Sequence, residues 1–144
     1  MIAYTVGFIF DQTFEHVLLM HKTKPAWQNG MVNGLGGKIE QGEGMYDCIV
    51  REIKEESALE TQKDKWIFVG KVSSDTVSLD VLGYVYEGNL DDAKTVEGEV
   101  VEWFKTASLP KNIISNLSWL IPMTIDKIQN QVFDSFSMKF KQDR

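Results

Sequence analysis

Glu43, Arg51, Glu52, Glu55 and Glu56 crowd into one short stretch of the chain, just after the glycine pair Gly36–Gly37. Carboxylates this close repel one another unless a cation sits among them. A hard cation such as Mg2+ takes oxygen ligands, keeps some of its waters and completes its shell with substrate phosphates. Mn2+ accepts the same donors. The stretch therefore points to metal-assisted chemistry on a phosphate.

A helical wheel tests the spacing. Residues three and four apart are neighbours on a helix surface, so Glu52, Glu55 and Glu56 form one cluster. At about 100° per residue, Glu56 falls roughly 20° from Ile49 and Glu52 roughly 60° from it. Met45, Ile49 and Ile53 make the apolar stripe, which puts two glutamates at its edge. Desolvation there raises carboxyl pKa values, and like charges four apart add repulsion. A divalent ion removes both penalties. The plain alternative is a solvated helix face, with Arg51 and Glu55 as an ordinary surface pair.

Several elements must hold this cluster in place. Tyr4 to Phe10 and His16 to Lys22 are β-rich runs separated by Asp11 to Glu15, the pattern of a hairpin. Trp27 to Asn33 is expected to lead, irregular or briefly extended, into the glycine turn. Met45 to Ser57 is the expected helix that carries the glutamates. Trp66 to Ser73 and Val77 to Tyr86 read as strands, the second alternating Val77, Leu79 and Val81 against Ser78, Asp80 and Leu82. Glu99 to Lys105 is another strand candidate. Leu117 to Gln129 reads as a second helix, with Pro122 expected in its first turn. Phe136, Met138 and Phe140 alternate as a closing strand would. The class is α/β, in a single domain over residues 1–144.

The glutamate pattern resembles the signature of the Nudix hydrolase family. Gly37 is followed by five residues and Glu43, then by seven residues and Arg51-Glu52-Ile53-Lys54-Glu55-Glu56-Ser57-Ala58-Leu59. Every specified position matches except the last glycine, where Ala58 stands. A glycine would permit a left-handed helix end, which alanine adopts only at a cost. The resemblance implies a Nudix-type α/β/α sandwich with a mixed, curved sheet. It implies that Glu52, Glu55 and Glu56 supply metal ligands or the base that activates water, and leaves open which is the base. It also implies that Arg51 pairs with Glu43, that Gly36 and Gly37 allow close backbone approach, and that the Gly37 carbonyl faces the metal. An extra ligand or base is expected from Glu97 or Glu99, which otherwise are solvated loop charges.

The run Val32-Asn33-Gly34-Leu35-Gly36-Gly37-Lys38 is similar to the MutT-like, 8-oxo-dGTP diphosphatase-like branch, which hydrolyses oxidised purine nucleotides. There the asparagine reads the purine, and Asn33 offers both donor and acceptor. Stabilising the glycine turn is its other role. Asn116 is either a purine reader or the N-cap of the second helix. Lys22, Lys24 and Lys38 are candidate phosphate contacts, or basic residues of the kind common at strand ends. The implied substrate is a nucleoside triphosphate, cleaved to monophosphate and pyrophosphate. Two rivals remain. One is a Nudix-fold nucleotide sensor without activity, disfavoured because all four box glutamates are present. The other is an isoprenoid diphosphate isomerase, which needs a reactive cysteine where Cys48 is expected to be packed.

Composition fits a small-molecule enzyme. The 144 residues are 43% hydrophobic and 25% charged, with net charge −6. The acidic balance without a basic patch argues against polymeric nucleic acid. One cysteine permits no internal disulfide. Apolar runs near the N-terminus are short and broken by Asp11, Glu15 and His16, so neither a signal peptide nor a membrane span is expected. The expectation is a cytoplasmic monomer or homodimer.

Overall fold

Strand β1 (Ile2–Phe10) is apolar at nearly every position, as befits a strand covered on both faces. In the computed structural model, which describes residues 1–141, β1 lies inside a seven-stranded mixed sheet. Beside it run β2 (His16–His21), antiparallel through the expected hairpin, and β5 (Val77–Val85), parallel from Ile2↔Val77 to Phe10↔Val85. The order continues from β5 to β4 (Ile67–Ser73) and β7 (Phe136–Lys139). On the other side, β2 pairs with β3 (Val32–Asn33) and with β6 (Val101–Lys105).

Side chains alternate across β1, and the two hydrophobic clusters follow that alternation. Val6, Phe8 and Phe10 pack against Leu117, Leu120 and Ile121 of α2 (Leu117–Gln129). Ile9 points the opposite way, into a cluster with Ile49 and Ile53 of α1 (Met45–Ser57). The helices thus cover opposite faces. Gly7 lets α1 come close, since a Cβ there would lie 2.8 Å from Ile49 Cδ1 and from Trp66.

The loop after β3 is tied to the free edge of β1. Gly7 donates its amide to the Leu35 carbonyl at 2.7 Å, Thr5 to Gly37 at 2.8 Å and Ile39 to Ala3 at 2.8 Å. These bonds fix Gly36–Gly37 beside Thr5, directly under α1.

Three expectations need correction. Pro122 lies inside α2, not in its first turn. The helix starts at Leu117, and Ser118, whose carbonyl loses its usual donor, is exposed to water. In β5 the polar residues are buried along with the apolar Val81 and Leu82: Ser78 and Asp80 are each 7% exposed, and Lys71 meets Asp80 at 2.8 Å. Burial of both faces of this central strand erases the simple alternation. The strand expected from Glu99 begins only at Val101, because Glu99 is drawn into another set of bonds. Among the described residues no helix is long and apolar enough to cross a membrane.

Candidate functional site

The three glutamates of α1 differ in depth as the helical wheel predicts. Glu56 is 7% exposed, Glu52 is half-buried, and the Glu55 side chain is 50% exposed. Glu56 accepts the Gly36 amide at 2.9 Å. Burial pushes its carboxyl up to about 8; the Gly36 bond opposes this and the Glu52 charge reinforces it. Burial likewise raises Glu52, against the pull of Arg51. Without a cation, then, the innermost carboxyl holds a proton at neutral pH.

Arg51 is the hub of the charged side. Its Nε and Nη2 grip Glu43 as a fork at 2.8 and 2.9 Å, as expected for this pair. That grip holds the Glu43 carboxyl down to about 2. Nη1 reaches Glu52 at 2.8 Å and Glu55 at 3.3 Å, and Nη2 donates to the Lys38 carbonyl at 3.2 Å. The guanidinium therefore clamps the loop onto the helix.

The oxygen-only donor set suits a hard divalent ion. So does the space around it, for a Cβ on Gly37 would sit 2.5 Å from the Glu52 carboxylate. Among the described residues, no three His, Cys, Asp or Glu side chains converge closely enough to hold an ion as they stand. The reason is local: Arg51 draws Glu52 and Glu55 toward itself. The Gly37 carbonyl, expected to face the metal, accepts the Thr5 amide at 2.8 Å with one of its two lone pairs, and the missing side chain of Gly37 leaves room for the Glu52 carboxylate.

The two loop glutamates part company. Glu97 is exposed, and its charge acts on both Glu52 and Glu56. Glu99 is 8% exposed and occupied: it accepts from Lys22 Nζ at 3.0 Å and from the Thr23 and Lys24 amides at 2.6 and 3.3 Å. Burial pushes its carboxyl up, but these donors hold it below the usual range. Lys22, besides pairing with Glu99, exerts its charge on Glu56. Lys24 and Lys38 are exposed.

A cavity of about 470 Å³ opens beside Gly36 and Gly37, on the α2 face of the sheet. Its inner wall is apolar, with Val6, Val72, Leu79 and Leu117. Lys22, Asn33 and Asn116 line it too, so the structure gathers these candidates around one hollow. Asn33 Oδ1 accepts the Gly34 amide at 2.8 Å, which is its turn-stabilising role. Asn116 stands at the N-cap of α2, but its side chain lines the cavity rather than capping the helix. Trp27 and Gln28 were not foreseen as lining residues. An aromatic and an amide set between Pro25 and Gly30, on a loop joining two strands, were the signal available. Cys48 is fully buried against Thr5 at 3.3 Å, and burial pushes its thiol up to about 11. That is the opposite of a reactive thiolate.

A family model described as the NUDIX domain matches residues 1–121. Solved structures agree on the fold. A MutT from work on Aliivibrio salmonicida and Vibrio cholerae is 21% identical, covering 87% of this chain and 98% of its own, with a TM-score of 0.68. The mutator MutT protein of Bacillus halodurans is 20% identical, with 99% and 92% covered and a TM-score of 0.68. The NUDIX domain of Shewanella oneidensis NrtR, solved with ADP-ribose, is 14% identical, with 88% of each chain covered and a TM-score of 0.71.

Proposed function

This chain belongs to the NUDIX domain family, and from that premise we propose a Mg2+-dependent nucleoside triphosphate pyrophosphohydrolase. It converts a nucleoside triphosphate to monophosphate and pyrophosphate, with oxidised purine nucleotides such as 8-oxo-dGTP among its substrates. The observation that carries this reading is the pair of buried Glu56 and half-buried Glu52, set against Gly36–Gly37 at the edge of the 470 Å³ cavity. Phosphates placed by the glycines meet the carboxylates while the base enters the hollow.

Mg2+, with Mn2+ as the alternative, would be held by Glu52, Glu55 and Glu56, and supplies neutralisation of phosphate charge and a more acidic bound water. Arg51 orients Glu52 and Glu55 and fixes the loop through Glu43. Glu97 adds negative charge on the same side. The water's proton goes to one of the box glutamates. Lys22, reinforced by Lys24 and Lys38 at the rim, offers point charges to the phosphates. Asn33 and Asn116 flank the base. Such an enzyme, a monomer or homodimer, acts on free nucleotides of the cytoplasm and serves nucleotide-pool sanitisation.

Two observations favour a second reading. Arg51 already satisfies Glu52 and Glu55, and the Shewanella domain of like fold was solved with ADP-ribose. A nucleotide sensor without turnover has those properties. Product release separates the two, measured with Mg2+ and with chelator: pyrophosphate from normal and oxidised triphosphates, and nucleotide products from ADP-ribose and a dinucleoside polyphosphate. Strong Mg2+-dependent release from a triphosphate supports the hydrolase. Tight binding with no release from any of them overturns it in favour of the sensor.

A further inference from the structure

The short turn Ala26–Gln28 ahead of β3 carries two side chains that the pyrophosphohydrolase reading leaves without a task. Trp27 is 59% exposed yet lines the cavity, and Gln28 is half-buried in the same wall. A large indole left mostly in water stands out in a protein whose other tryptophans are buried or half-buried, and an aromatic face is a platform on which any base can stack.

The orientation of Gln28 follows from its neighbours. The Gly34 amide can only donate, so the atom of Asn33 facing it at 2.8 Å must be the carbonyl oxygen. The other end of Asn33 is then its amino group, which donates to Gln28 Oε1 at 3.1 Å. A carboxamide whose oxygen is engaged presents its NH2 at the opposite corner. Among the described residues, no acceptor bonds to that Gln28 amino group. The cavity wall therefore offers a donor whose direction is fixed through two successive hydrogen bonds.

We propose that Trp27 and Gln28 grip the planar end of the ligand, Trp27 by stacking and Gln28 by donating to a ring carbonyl, so that the site selects keto bases over amino bases. A guanine-type or thymine-type base presents an oxygen to that donor. An adenine-type or cytosine-type base presents an NH2 in its place, and two donors then face each other. This selection rests on the reading of the cavity as a nucleotide site. Asn33 becomes a positioning residue, whose hydrogen bond turns Gln28.

Gln28→Glu is the decisive variant. A carboxylate still accepts from Asn33 Nδ2, so the turn keeps its geometry, while the donor becomes an acceptor. The probes are dGTP and dATP, which share sugar and phosphates. Wild type is expected to favour dGTP by about tenfold or more in kcat/KM, and Gln28→Glu to bring the ratio to parity or invert it. Trp27→Ala should raise KM for both nucleotides and leave their ratio alone. Quenching of indole fluorescence by the same two nucleotides in chelator reads binding without turnover. If turnover is absent but quenching still prefers dGTP in wild type and loses that preference in Gln28→Glu, the base selection stands and only the hydrolase reading falls. If wild type shows no preference by either readout, or Gln28→Glu keeps it, the base selection is overturned.

Discussion

The two faces of the sheet hold their polar groups in opposite ways. Under α1, full charges are crowded together, and one guanidinium joins Glu43, Glu52 and Glu55 while Glu56 keeps a proton. Across the sheet, the cavity is apolar at its base and, besides Lys22, carries neutral amides, of which Gln28 is oriented by Asn33 and Asn33 by the Gly34 amide. Charge suits the first face because a mobile cation can enter and leave with its ligand. Fixed dipoles suit the second because selecting between bases needs direction more than strength. Gly36–Gly37 joins the two faces, donating to Glu56 on one side and lining the cavity on the other.

The largest expected effect comes from Glu56→Gln. Because Glu56 is protonated at neutral pH, glutamine mimics the metal-free state, and the melting temperature at pH 7 in chelator should change little. Turnover should fall by about a thousandfold or more, since a carboxamide cannot balance a divalent cation's charge. Wild-type pyrophosphate release from this variant would remove charge from the account of the α1 face. Next is Arg51→Ala, which strands Glu43 and Glu52 without their cation. Denaturant unfolding should show a loss of about 2 kcal/mol, and added Mg2+ should restore part of it by taking over the released carboxylates.

Acidity gives a third, smaller handle. The Glu56 carboxyl rises from its usual 4.5 to about 8 in the fold. The metal-free protein should therefore be most stable, as far as this group decides it, below about pH 4.5, and should lose that stability as pH rises through about 8. Thermal melts in chelator at pH 5.5 and pH 8.5 test the slope, which Glu56→Gln should flatten. Mg2+ should stabilise more at pH 8.5, where no proton has to be displaced. A flat wild-type profile would mean that water reaches Glu56 freely. The smallest effect belongs to Ala58, which ends α1 in the left-handed conformation at φ 65°. Ala58→Gly should add about 1 kcal/mol, read as a modest rise in melting temperature with no change in base preference.

The same contrast explains what the sequence reveals. The carboxylate face lies on one helix and the loop before it, so helical periodicity alone separates buried Glu56 from exposed Glu55. The ends of α1 and α2 were legible for the same reason: periodicity and flanking residues act locally. The cavity is assembled from β1, β4, β5, α2 and a turn, and no local pattern records that Gln28 will stand against Asn33. Glu99 shows the limit within a single residue. The family resemblance offers it, or Glu97, as an extra metal ligand, and no local pattern records that three donors around Thr23 hold it in the fold. Pro122 shows another, since the carbonyl that loses its usual donor belongs to Ser118, a residue exposed to water.

Gly7 touches no ligand and carries no chemistry, yet α1 rests on it. Any side chain there would act as a shim, lifting the helix off the sheet and moving its carboxylates outward together. The loop at Gly36–Gly37, stitched to β1 itself, would stay behind. The working gap between the two is thus set by the thickness of one residue in the middle of a strand, and random substitution would find an inactive, folded protein there.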